Sequence, residues 1–145
     1  MSTKDNKELI RRFNKDFNEL VPDMAKIRAF GDKYFAPGYV LHDTLGDQNK
    51  EQAMQFFFGV WSACPDFNYS LDDMVAESDA VAIRFTMRFT HTGTFMGVPA
   101  TGKKVAFSAV QINKVLNGQI SETWQLADNL GLMTQLGVVP AAPKK

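Results

Sequence analysis

An α+β fold, with helices gathered ahead of an antiparallel sheet, is what this sequence predicts, and three observations carry the prediction. Apolar residues recur at helical spacing before Pro65, the period changes to two after it, and Asn117-Gly118 marks a tight hairpin in the second half. Sheets of this length curl, so helices packed into the concave side leave a cleft open at one end. At 145 residues the chain reads as a single domain, 1–145.

The elements follow in order. Ile10, Phe13, Phe17 and Leu20 line one face of a helix over 3–20, capped by Thr3 or Asp5 and closed by Pro22. A second helix opens at Asp23, places Met24, Ile27, Phe30 and Tyr34 on one stripe, and ends before Pro37-Gly38. Tyr39 to His42 is a brief strand, and 43–47 reads as a loop. A third helix from Lys50 to Ala63 turns Ala53, Phe56, Phe57, Val60, Trp61 and Cys64 inward, and Pro65 stops it. Strands are expected over 67–77, 80–92, 103–116 and 119–128, with turns at Ser78-Asp79 and Asn117-Gly118. Val81, Ile83, Phe85, Met87 and Phe89 share one face of the second of these, His91 falls with them, and Arg84, Thr86, Arg88 and Thr90 take the other. A short helix over 130–136 ends at Gly137, and 138–145 reads as an extended tail.

Composition excludes several classes of function. Sixteen basic and sixteen acidic side chains cancel, so no field draws a nucleic acid or an anionic membrane. No run approaches the apolar length that spans a bilayer, and the charged N-terminus lacks a signal-peptide core, so a cytoplasmic location is expected. Cys64, the single cysteine, forms no internal disulfide and reads as a small buried helix-end residue. Twelve phenylalanines, which bring area without a polar handle, point to a dry interior or an apolar cavity wall to which Phe57 and Trp61 belong. Two distant histidines without an acid at fixed spacing give no metal set, and Gly93, Gly97 and Gly102 lack the following Lys-Ser/Thr of a phosphate cradle, so neither metal nor nucleotide is expected.

The ordered motifs YVLHD, CPDF, RFTMRFTHTGTFMGVPATGKKV and NGQISETWQLADNLGLMTQLG resemble the SnoaL-like polyketide cyclases, within the broader fold group of nuclear transport factor two and ketosteroid isomerase. The resemblance covers about 30–140 and is most specific over Thr90 to Lys103. It implies a cone-shaped curved antiparallel sheet wrapped around the N-terminal helices, and a homodimer through the outer sheet face. It also implies intramolecular aldol ring closure without metal or organic cofactor, with the family's aspartate at Asp128.

Read from the residues, Asp128 shares a strand face with Trp124 and Leu126, and an acid on an apolar wall suits general acid–base work. Its other role is to cap the turn that starts at Asn129. His91 and His42 are candidate partners, since neutral imidazole both donates and accepts; fixing loop backbone and closing a strand end are their alternatives. Gln111 and Asn113 share a face, so their amides can look into the cavity and hold a carbonyl oxygen. Trp124 completes the expected binding set, while Thr123, of opposite parity, does not belong to it. Arg84 is expected to hold a carboxylate of a neighbouring strand or subunit. The function these readings define is a cofactor-independent enzyme acting on an apolar, carbonyl-bearing small molecule, a cyclase with Asp128 and His91 as catalytic residues. An isomerase or hydrolase using the same acid, or a non-catalytic binding protein, are the alternatives.

Overall fold

The structure is a computed structural model that describes residues 2–140; most of the expected tail therefore lies outside the described residues. Its helices are α1 (Thr3–Asn18), α2 (Met24–Tyr34), α3 (Lys50–Ala63) and α4 (Asn129–Gln135). Its strands are β1 (Phe35–Asp43), β2 (Gly46–Asn49), β3 (Asn68–Glu77), β4 (Ala80–Thr90), β5 (Lys104–Leu116) and β6 (Gln119–Ala127). The six strands form one curved sheet in the order β2-β1-β6-β5-β4-β3, with the N-terminal helices against its concave face. No helix among the described residues is long and apolar enough to cross a membrane.

The helix starts are chemical. Ser2 caps α1 in place of the expected Thr3 or Asp5: its hydroxyl accepts from Asp5 N at 3.1 Å while the Asp5 carboxylate accepts from Ser2 N at 3.3 Å. Asn49 and Gln52 make the same reciprocal pair at the start of α3, at 2.9 and 2.8 Å. At the other end of α1, the Asn18 amide pairs with both backbone groups of Tyr69, donating to its carbonyl at 2.8 Å and accepting from its N–H at 2.9 Å. That amide ties the helix to the edge strand β3.

Two expectations about the sheet are corrected. Gly46 and Asp47, expected as loop, instead open the strand β2, because Asp43 and Gly46 close a two-residue turn whose middle is held by Leu45 N donating to Asp43 Oδ1 at 2.9 Å. The sheet is also not wholly antiparallel, since β1 runs parallel to β6, and it begins at Phe35 rather than Tyr39. Its register shifts between Phe35 and Val40, across Pro37-Gly38, where proline offers no N–H to the ladder. The Asn117-Gly118 turn is as expected, both residues having positive φ.

A second irregularity matters more. A two-residue turn pairs Leu116 with Gln119 and Val115 with Ile120, and regular continuation would pair Asn113 with Glu122. Instead the register slips between Lys114 and Val115, Ser121 is left as a bulge with its hydroxyl on Lys114 O at 3.3 Å, and Asn113 faces Thr123.

The concave face is filled by rings. Phe17 stands at the centre, with centroids 5.1 to 6.2 Å from Phe57, Trp61, Phe67 and Tyr69. Cys64 is fully buried, and burial pushes its thiol up to about 11. Gly93 lies against the end of α3, where an added Cβ would stand 2.8 Å from both the Cα and the carbonyl oxygen of Ala63. Backbone cannot step aside as a side chain can. Gly93→Ala is therefore expected to lower unfolding free energy by about 1–3 kcal/mol, measured by urea denaturation.

Candidate functional site

Alternation along β1, β5 and β6 decides what enters the cone. On β5, Val105, Phe107, Ala109, Gln111 and Asn113 point inward while Val110 and Ile112 point out. Beyond the Ser121 bulge, the inward residues of β6 are Thr123, Gln125 and Ala127, since register pairs them with Asn113, Gln111 and Ala109. On β1, Tyr39 and Leu41 face the same interior.

That interior holds two joined chambers. The inner one, about 120 Å³, has aromatic walls from α1, α3 and the sheet, including Phe13, Phe17, Phe57 and Phe85. One side of it is polar, formed by Tyr39, Gln111, Asn113, Thr123 and Gln125. The outer chamber, about 100 Å³, shares Leu41, Phe56, Met87 and Gln125 with the first and adds Asp43, Gln48, Phe95, Met96 and Asn129. Asp43 is the only charged side chain lining either chamber among the described residues.

The polar side is a directed chain of hydrogen bonds. Burial pushes the Tyr39 phenol up, so it stays protonated at the head of the strip, in the same lining as Thr123. Thr123 Oγ1 donates to Asn113 Oδ1 at 2.7 Å, and Asn113 Nδ2 donates to Gln111 Oε1 at 3.4 Å. Gln111 Nε2 donates to Gln125 Oε1 at 2.6 Å, and Gln125 Nε2 donates to Asp43 Oδ2 at 2.8 Å. The end group fixes the direction. A carboxylate only accepts, so Gln125 must turn its nitrogen to Asp43 and its oxygen to Gln111, which sets the next amide in turn.

The sequence-expected site is thereby divided. Gln111, Asn113 and Phe57 line the inner chamber as anticipated, whereas Trp61 packs behind it, 1% exposed and against Phe17 and Phe67. Asp128 is corrected: it is exposed at the end of β6 and caps α4, accepting from Gly131 N at 2.9 Å, and it lines neither chamber. An added Cβ at Gly131 would come within 2.2 Å of its carboxylate, so glycine there accommodates the cap.

His91 is corrected too. It is wholly buried, with Thr101 N donating to Nδ1 at 3.2 Å and the Thr101 hydroxyl 2.9 Å from the same nitrogen. The Thr101 N–H makes Nδ1 an acceptor, leaving Nε2–H to donate to Val98 O at 3.2 Å. The ring clasps the 91–103 loop and lines no chamber. Arg84 sits on the outer face, 3.8 Å from Asp72 of neighbouring β3.

His42 and Trp124 are likewise placed outside. Their rings stack at 5.2 Å on the outer face, and His42 reaches Glu122 at 2.6 Å and Asp47 at 3.1 Å. What the sequence did not offer for the interior is Tyr39, Thr123, Gln125 and Asp43. The YVLHD strand could have offered Asp43, since alternation puts it on the face opposite His42. Among the described residues no three His, Cys, Asp or Glu side chains converge as a metal site would require.

Residues 8–136 match a protein family described as SnoaL-like polyketide cyclase. AclR of Streptomyces galilaeus, a candidate hydroxylase, is 26% identical with a TM-score of 0.84, over 99% of this chain and 91% of its own. IdmH of Streptomyces antibioticus, a candidate polyketide cyclase, is 29% identical with a TM-score of 0.74, over 91% and 98%. A candidate polyketide cyclase of Acidithiobacillus ferrooxidans is 28% identical with a TM-score of 0.76, over 94% and 98%. No curated protein matches the chain.

The outer cluster makes one pH-dependent prediction. Hydrogen bonds that the imidazolium donates to Glu122, then to Asp47, raise the His42 imidazole above its ordinary 6.5. A raised folded-state value means that the stabilisation is fully present below about 6.5 and is lost as pH rises through the folded value. His42→Gln should lower the melting temperature at pH about 6 and converge with the unsubstituted protein at alkaline pH. A melting-temperature difference that does not change with pH would contradict it.

Proposed function

The chain belongs to the SnoaL-like polyketide cyclase family, and from that premise we propose that it is an enzyme that rearranges an apolar, carbonyl-bearing small molecule within the cone by intramolecular aldol-type ring closure. The observation that carries this reading is the split lining of the inner chamber, apolar on most of its surface and amide- and hydroxyl-bearing along one strip. Rings of the ligand lie against Phe17, Phe57 and Phe85. Its oxygens lie against the strip, where the second N–H of Gln111 or Asn113 is free to donate. Such donors strengthen their bond as a carbonyl becomes an enolate, which lowers the barrier to removing a proton alpha to it.

Ring closure and isomerisation share that first step. A ring forms when the enolate carbon attacks a second carbonyl of the same molecule, and a double bond moves when the proton returns at another carbon. No atom is gained or lost in either case. The matched family and the candidate cyclases among the structural neighbours support the cyclase reading.

The outer sheet face supports a homodimer. Val110 pairs with Leu126 and Ile112 with Trp124, and these four side chains form a contiguous apolar square, 40 to 65% exposed. A second copy related by a two-fold axis covers the square with its own. Leu126→Lys is expected to convert a dimer to a monomer in analytical ultracentrifugation; a monomeric unsubstituted chain would refute the interface.

The ligand reading is tested with a fused-ring ketone, 2-tetralone. It should bind the unsubstituted protein in calorimetry, and Asn113→Leu should weaken binding about fivefold or more through loss of one hydrogen-bonding partner. Equal affinity in the variant would remove the strip from recognition.

A further inference from the structure

We infer that Asp43 is the catalytic acid–base group of this cavity, held in the wall of the outer chamber by the amide chain. The inference rests on the ring-closure reading above and supplies the group that reading needs.

Three observations converge on this residue. First, proton transfer to and from carbon requires a group that can both take and return a proton, and Asp43 is the one carboxylate among the described residues lining the two chambers. Second, its position is fixed. Oδ1 accepts from Leu45 N at 2.9 Å and from Thr44 Oγ1 at 3.3 Å, while Oδ2 accepts from Gln125 Nε2 at 2.8 Å. Each carboxylate oxygen offers two lone pairs, so Oδ2 keeps one for a substrate proton. Third, in the chain from Thr123 through Asn113, Gln111 and Gln125 every donor points toward Asp43. Amides do not pass protons, so the chain does not drain the carboxylate. It orients Asp43 and presents donors to substrate oxygens along the same strip.

The step balances within the substrate. Asp43 takes a proton from the carbon alpha to one carbonyl, and the C–H electron pair becomes the enolate. The enolate carbon bonds to a second carbonyl carbon, whose π pair moves onto its oxygen. That alkoxide takes the proton back from Asp43, leaving a ring bearing a hydroxyl. The outer chamber contains an acceptor suited to that new O–H, since Gln48 Oε1 is buried there with no partner among the described residues.

The test is solvent deuterium exchange at the alpha carbon of bound 2-tetralone, followed by proton NMR, with calorimetry of the same ketone. Asp43→Asn should bind 2-tetralone as the unsubstituted protein does and exchange it about 100-fold more slowly or worse. Asp43→Ala should lose exchange and regain it in added formate, which a purely structural role would not permit. Asp128→Asn, which keeps the cap on Gly131 N, should exchange at the unsubstituted rate. Exchange at full rate in Asp43→Asn, absence of formate rescue, or loss of exchange in Asp128→Asn alone overturns the assignment and leaves the ligand reading standing. Binding without exchange in the unsubstituted protein also overturns it. Failure of that protein to bind the ketone overturns the ligand reading, and the assignment falls with it.

Discussion

The bulge at Ser121 is the constraint on which both faces of the sheet depend. Regular pairing from the Asn117-Gly118 turn would set Asn113 opposite Glu122 and Gln111 opposite Trp124, sending Glu122, Trp124 and Leu126 into the cone. One extra residue reverses this. Thr123 and Gln125 turn inward to meet Asn113 and Gln111, and Trp124 and Leu126 turn outward beside Ile112 and Val110. The alternative would bury the Glu122 carboxylate against phenylalanine, a penalty on the order of several kcal/mol for an uncompensated charge. Outside, Glu122 instead meets His42 at 2.6 Å.

The fold was legible because its signals are local. Helical and strand periods, the Asn-Gly turn and the proline stops placed nearly every element within a residue or two, and alternation on β5 put Gln111 and Asn113 in the cavity. The missed strand β2 follows from a turn whose signal, Asp43 with a glycine three residues later, is short and lies beside no apolar run. The site was less legible because it depends on register between strands. Asp128, Trp124 and Leu126 do share a face, but which face it is turns on a bulge that Ser121 does not advertise. His91 lies on the buried side as alternation implied. Burial there serves the loop, since its two ring nitrogens are taken by Thr101 and Val98.

The polar strip is tolerable in so aromatic an interior because its members bond one another in sequence. A lone buried amide would cost about 1–3 kcal/mol for each unmade hydrogen bond. Here Asn113, 3% exposed, and Thr123, 1% exposed, satisfy each other at 2.7 Å, and the sequence of donors ends on Asp43 in the outer chamber, a carboxylate that only accepts. The same linkage makes the strip stiff. Turning one amide over would set two nitrogens or two oxygens against each other at the next link, so the chain has one arrangement while Asp43 is a carboxylate.

Stiffness in the strip extends through β6 to the outer surface. Thr123 and Gln125 interleave with Trp124 and Leu126 along one strand, so a displacement that disturbs the outer apolar square also moves the amide chain. The parallel partner β1 repeats the arrangement: His42 stacks on Trp124 outside, and its neighbour Asp43 accepts from Gln125 inside. Two adjacent strands thus present a surface cluster and the cavity carboxylate on opposite sides of one hydrogen-bonded ladder.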